Sequence, residues 1–217
     1  MIRNLVFDLG GVLINLNRIS CLRAFDEIVR YKDFAAVFGT YRQLGFFDKF
    51  ENGSISARQF RNIIRINSQE VPGKEKVQDH QIDFALNCYM KDLPQDKIDT
   101  LLFYQHDYRI FLLSNTNPIS MVRVREMFQE RGYKMEELFE MLFLSYKMKD
   151  AKPNASIFQK MVRKAKINPE ETLFIDDSLA NIQAAQALGF AGLHYDPHRD
   201  LYASVAQKLK EIEASGH

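Results

Sequence analysis

Apolar residues gather in short unbroken runs, and stretches with helical spacing separate the later ones. Leu5-Val6-Phe7, Ile110 to Leu113, Met141 to Leu144 and Leu173-Phe174-Ile175 are such runs, and Ala191 to Leu193 is a weaker fifth. A run this short and without alternation suits a strand covered on both faces, as in a parallel sheet. Between the later runs the spacing becomes helical. Met121, Val124 and Phe128 fall within Pro118 to Arg131. Ile157, Phe158, Met161, Val162 and Ala165 fall within Ala155 to Lys166. Ile182, Ala185 and Leu188 precede Gly189, a helix stop. Strand and helix in alternation predict a doubly wound α/β core built on a parallel sheet.

The stretch from about Leu16 to Leu93 reads differently. Leu22, Phe25, Ile28 and Val29 repeat with a helical period, as do Phe60, Ile63 and Ile64, and then Ile82, Ala85, Leu86 and Tyr89. Turns are marked by Glu51-Asn52-Gly53-Ser54 and by Val71-Pro72-Gly73. No strand pattern is evident. The expectation is an all-helical unit, residues 16–93, inserted into a core made of residues 1–15 and 94–217 and hinged near Asn15 and Pro94.

Composition narrows the partners. The 217 residues are 46% hydrophobic and 26% charged, with a formal net charge of +1. Such a chain folds, and it has no global field to attract nucleic acid or an anionic membrane, so an anion must be held locally. No apolar run approaches a membrane span. Asp8 interrupts the apolar start of the chain, and the two cysteines, Cys21 and Cys88, lack metal-type spacing. Both observations favour a cytoplasmic protein. Nothing in the pattern sets an oligomeric state.

In open α/β sheets ligands bind outside the carboxyl ends of the strands. The polar residues at those ends form a coherent set: Asp8 after the first run, Ser114-Asn115 after the second, and Asp176-Asp177 after the fourth. Lys152-Pro153 opens the helical stretch that precedes the fourth run. A carboxylate can attack phosphorus. Clustered carboxylates suit Mg2+. A hydroxyl and backbone N–H groups can hold phosphoryl oxygens, and a lysine can offset charge in the transition state. The glycines after Asp8, Gly10 and Gly11, let the backbone approach a phosphate closely. Each signal also has a purely structural reading. Ser114-Asn115-Thr116-Asn117 and Asp176-Asp177-Ser178 are both good helix starts.

The four segments FDLGGVL, LLSNTN, AKPNASIF and FIDDSLANIQAAQALG resemble the four motifs of the haloacid-dehalogenase-like hydrolases. The resemblance spans the chain, and the helical insert is similar to the family's cap. The whole looks like the subgroup of bacterial sugar-1-phosphate phosphatases and the phosphatase domain of mammalian soluble epoxide hydrolase. The resemblance implies Asp8 as nucleophile and metal ligand, with the Gly10 carbonyl and Asp177 as further ligands of Mg2+. Asp176 would ligate directly or through water. Ser114, the Asn115 backbone and Gly11 would bind phosphate, and Lys152 would bridge Asp8 and the phosphoryl group. The substrate would be a small phosphorylated metabolite, with a sugar phosphate as one option.

One position departs from the pattern. The family's phosphatases usually carry a second aspartate two residues after the nucleophile, which protonates the leaving group and then activates water. Here that position is Gly10. The expectation is a steep penalty for poor leaving groups, so that aldose 1-phosphates outperform the matching 6-phosphates, unless a cap His or Glu supplies the proton. Two other readings stay open at this point: a metal-independent dehalogenase, and a weakly active protein that binds a phosphorylated ligand or a partner. Phe46, Phe47, Lys49 and Arg58 are candidates for shaping the pocket, equally explained as core or surface. His80, His106, His194 and His198 are scattered and receive no role.

Overall fold

In the computed structural model, which describes residues 1–39, 44–73 and 75–215, all five apolar runs are strands. In chain order the strands are β1 (Asn4–Phe7), β2 (Asn15–Leu16), β3 (Met90–Asp92), β4 (Arg109–Ser114), β5 (Met141–Leu144), β6 (Thr172–Asp176) and β7 (Ala191–His194). Five of them form one parallel sheet in the order β5-β4-β1-β6-β7. The apolar runs do not alternate because each face of the sheet is covered. Leu5 and Phe7 enter one apolar layer with Ile110, Leu112, Leu173 and Ile175, backed by Val124 and Phe128 from the helix Pro118–Glu130. Val6 enters the other layer with Phe111, Leu113 and Phe174, backed by Ile157, Phe158 and Met161 from the helix Ala155–Ala165. Each fully buried large apolar side chain contributes about 1.5–3 kcal/mol, so the paired layers leave little freedom of register.

Strand order reverses direction between β1 and β6, with Phe7 in register with Ile175. The Asp8 N–H continues that pairing, donating to the Ile175 carbonyl at 2.9 Å. The carboxyl ends of β1 and β6 therefore lie side by side at the switch point, where an open α/β sheet leaves a crevice.

The helical insert builds a core of its own. Helices Arg18–Glu27, Gly45–Glu51, Ala57–Asn67 and Asp79–Asn87 pool Phe25, Phe47, Phe50, Phe60 and Ile82 into a third apolar cluster, which Phe34 joins from the short 3-10 helix Lys32–Ala36 and Ile119 from the core side. Phe50 stacks on Phe60 with ring centroids 4.2 Å apart, and Phe47 meets Phe60 edge-on at 5.5 Å. A capping box between Ser56 and Gln59 starts the helix that carries Phe60.

Two expectations need correction. The stretch from Leu16 to Leu93 is not free of strands: β2 and β3 pair antiparallel as a two-stranded ribbon where the insert leaves and rejoins the core. Strands of two and three residues are too short to show a period. They do not pair with the central sheet. Lys152-Pro153 does not open its helix. Asn154 is the N-cap and Lys152 lies in the turn before it, joined to Pro153 by a cis peptide bond.

Candidate active site

Asp8, the first residue after β1, is buried at 9% exposure. The Lys152 ammonium lies 2.8 Å from Asp8 Oδ1 and 2.6 Å from Asp176 Oδ2. A lysine this deeply buried is held in place by its backbone. The Asn115 side chain accepts from Lys152 N–H at 2.8 Å and donates to the Lys152 carbonyl at 2.9 Å. The loop after β4 thus clamps the turn that carries the lysine. Ser114 is buried at the end of β4 beside it.

Both oxygens of Asp176 are engaged. Oδ1 accepts from Ser178 N–H at 2.8 Å and from Asn181 Nδ2 at 3.0 Å. Oδ2 accepts from Lys152 at 2.6 Å and from Asn181 at 3.1 Å. Asp177 has no side-chain partner for its carboxylate among the described residues, while its carbonyl meets His194 Nε2 at 3.0 Å. One oxygen each from Asp8, Asp176 and Asp177 lies within 4.8 Å of the others. Gly11 lies directly against this group. Its φ is +75°, and a Cβ there would sit 2.2 Å from Asp177 Oδ2. Glycine is required both by the left-handed backbone and by the carboxylate.

The electrostatics follow from three carboxylates around one ammonium. Burial, opposed by Lys152 and reinforced by Asp176 and Asp177, pushes the Asp8 carboxyl up to about 7. Burial and then Asp176 push Asp177 up to about 6. Burial disfavours charge on Lys152, but Asp176 and Asp8 outweigh it and hold the ammonium above its ordinary value. The site lacks positive charge, and the donors left open, Asp8 Oδ2 and the Asp177 carboxylate, are hard oxygens suited to a magnesium ion.

Every residue singled out for the site therefore falls around one crevice: Asp8, Gly10, Gly11, Ser114, Asn115, Lys152, Asp176 and Asp177. Gly10, Ser114 and Asn115 line a cavity of about 60 Å³ roofed by Phe47, Glu51 and Tyr89 of the insert. At about 30 Å³ per water, that space holds roughly two water molecules. Asp8, Asp176 and Asp177 do not line it themselves, and larger hollows of about 630 and 650 Å³ share no residue with this cavity or with the carboxylates.

The pocket candidates separate. Phe47 lines the cavity as part of the insert's core, Phe46 packs on Phe60 at 5.7 Å, and Lys49 and Arg58 are exposed. Of His80, His106, His194 and His198, all exposed, only His194 reaches the site, through the Asp177 carbonyl. Sequence reasoning missed Asn181 and Glu51. Asn181 lies five residues beyond Asp176, where the first turn of a helix returns a side chain to its own start. Glu51 carries no such signal and reads simply as the first residue of a turn.

Comparison with known proteins settles the family. The profile of the haloacid dehalogenase-like hydrolases matches residues 2–189. The chain belongs to this family. A D-ribitol-5-phosphate phosphatase of Bacteroides thetaiotaomicron is 32% identical over 191 residues, 88% of this chain and 90% of that protein. A family enzyme from the same organism, solved in complex with magnesium and inorganic phosphate, superposes with a TM-score of 0.86 at 41% identity, covering 92% of this chain and 96% of that one. A protein of Porphyromonas gingivalis described as a predicted HAD-like family hydrolase gives a TM-score of 0.85 at 34% identity, covering 97% and 98%. The parallel sheet with its helical cap is the architecture of these hydrolases. No helix of the described residues is long and apolar enough to cross a membrane.

Proposed function

We propose that this hydrolase is a magnesium-dependent phosphatase acting on a small phosphorylated metabolite, with a sugar or sugar-alcohol phosphate as the favoured class. The observation that carries the reading is the placement of Asp8. One oxygen is held by Lys152 at 2.8 Å, and the other has no partner among the described residues and lies beside the Asp177 carboxylate, which no described side chain pairs. Magnesium, held by Asp8 Oδ2, Asp177 and the Gly10 carbonyl, would neutralise the nucleophile and the phosphoryl oxygens. Asp176 would act through water and through Lys152, because its own acceptor positions are filled.

The chain's residues then divide the work. The Asp8 carboxylate attacks phosphorus and the bond to the leaving oxygen breaks, giving an aspartyl-phosphate. The Ser114 hydroxyl and the backbone N–H of Asn115 hold the phosphoryl oxygens; the Gly11 N–H, expected from the sequence to share this role, instead donates to the Ile14 carbonyl at 2.9 Å. Lys152 keeps its charge in reach of both the nucleophile and the transferred group. Water then attacks phosphorus, releasing phosphate and restoring Asp8.

The helical unit, residues 16–93, is a cap hinged near Asn15 and Pro94. A cavity of about 60 Å³ admits no sugar phosphate, so the cap opens to load and closes for chemistry. Three carboxylates around one lysine weigh against metal-free attack on an anionic haloacid. The free thiols of Cys21 and Cys88 fit a cytoplasmic setting. The test is phosphate release from a panel of sugar, polyol and aryl phosphates with magnesium and with excess chelator. Turnover only with magnesium supports the reading, and full activity in chelator overturns it.

A further inference from the structure

The missing acid at Gly10 leaves a question that the cap answers. A Cβ at Gly10 would meet Leu16 Cδ1 at 3.1 Å, so the space where a longer side chain would extend is occupied by Leu16. The cavity that Gly10, Ser114 and Asn115 line from the core is also lined by one carboxylic acid from the cap, Glu51. Its half-buried carboxyl has no hydrogen bond or ion pair among the described residues. We propose that Glu51 is the proton donor and acceptor of the reaction, delivered by the cap in place of a motif aspartate. This rests on the phosphatase reading above.

The fold fixes Glu51 from both sides. It is the last residue of the helix Gly45–Glu51, one turn beyond Phe47 and on the same face, and Phe47 and Phe50 anchor that helix in the cap core. Its carbonyl accepts from the buried Ser145 hydroxyl at 2.6 Å, and the same hydroxyl accepts from Thr116 N–H at 2.9 Å. Ser145 therefore ties the Glu51 backbone to the loop that holds Ser114 and Asn115. The following turn is pressed onto the core as well. Lys149 donates to the Gly53 carbonyl, and a Cβ on Gly53 would lie 2.2 Å from the Tyr146 carbonyl. Glu51 is in place only while the cap is docked, which couples proton transfer to closure. Burial first, then Asp48 and Asp8 against Lys152, raises its carboxyl to about 8, so that it begins protonated at neutral pH.

The steps balance. As Asp8 attacks phosphorus, the P–O bond to the substrate alcohol breaks, and that oxygen takes the Glu51 proton to leave as the neutral alcohol. Glu51, now a carboxylate, takes a proton from the water that attacks the aspartyl-phosphate. The Asp8–phosphorus bond breaks, inorganic phosphate leaves, and both carboxyl groups return to their starting forms.

The assay compares wild type and Glu51→Gln, both with magnesium and with matched thermal unfolding, on p-nitrophenyl phosphate and on a primary alkyl phosphate. Nitrophenol leaves without help, so Glu51→Gln should release about one equivalent per enzyme in a burst and then stall. Its steady rate should fall about 10²–10⁴-fold, the usual loss of a positioned acid or base. The alkyl phosphate should show the same loss without a burst, because its first step is blocked. Equal losses with no nitrophenol burst, or an unchanged steady rate, would overturn the role. If Glu51→Gln does not fold as wild type does, Ser145→Ala gives the parallel reading: a partial burst supports the assignment, and a uniform loss opposes it. Failure of the wild type to release phosphate from any substrate would overturn the phosphatase reading instead.

Discussion

Gly11→Ala perturbs the metal site without changing a charge or a ligand. The new methyl would start 2.2 Å from Asp177 Oδ2 and 2.6 Å from its Cγ. Ordinary contact begins near 3.4 Å, so the carboxylate has to move by about 1 Å. The backbone adds its own cost, because φ is +75° and an L-residue there is strained by about 1–2 kcal/mol. A control separates the two effects. Gly132 has φ +85° with nothing within 4 Å of its Cβ position. Gly132→Ala should therefore lose similar stability and leave the site untouched. Disturbing the shell around a bound metal typically costs about 10–100-fold in affinity or activity, and a displaced ligand falls at least in that range. The assay is phosphate release against magnesium concentration, with thermal unfolding in parallel. Gly11→Ala should need at least ~10-fold more magnesium for half-maximal rate, and Gly132→Ala should match wild type. Equal magnesium requirements for Gly11→Ala and wild type would refute the placement of Asp177 as a ligand.

Further outcomes follow from the same geometry. Asp8→Asn should reduce turnover to a trace while thermal unfolding stays near wild type, and substantial activity would place the nucleophile elsewhere. In metal-free protein, stability should fall as pH rises from about 4 to 8, because the folded state keeps protons on Asp177 to about 6, on Asp8 to about 7 and on Glu51 to about 8 that the unfolded chain has released. Magnesium should remove the share of that slope due to Asp8 and Asp177, and unfolding temperatures at pH 5 and pH 8, with and without chelator, would show it; a flat metal-free profile would contradict the crowding of charges. Asn115→Ala removes two hydrogen bonds to the Lys152 backbone, at 2.8 and 2.9 Å, worth about 1–3 kcal/mol together. It should lower kcat as well as stability, and a loss of stability alone would show that the clamp does not position the lysine.

The central sheet was legible because its strands are buried on both faces. Val6 faces one apolar layer and Leu5 and Phe7 the other, so the sequence reads as a bare run of apolar residues. The crevice was legible because parallel strands bring their carboxyl ends to one edge, which gathers Asp8, Ser114 and Asp176 by strand direction alone. What escaped was whatever depends on backbone contacts or very short elements. The β2–β3 ribbon has too few residues to show a period. The tie from Ser145 to the Glu51 carbonyl leaves no trace in either side chain's identity. Glu51 itself looked like part of a turn, because its role arises only when the cap docks. A Glu51 donor would replace the steep leaving-group penalty expected from Gly10 with a shallow dependence in the intact enzyme, and the steep one should then appear in Glu51→Gln.

The central claim is that phosphate passes through Asp8. Enzyme mixed with a phosphorylated substrate and magnesium, quenched in acid within a single turnover and digested, should yield the peptide containing Asp8 with the added mass of one phosphoryl group. That adduct should be absent from Asp8→Asn and from samples in excess chelator. A phosphoryl group on any other residue, or a full turnover with Asp8 unlabelled at every time point, would contradict the account.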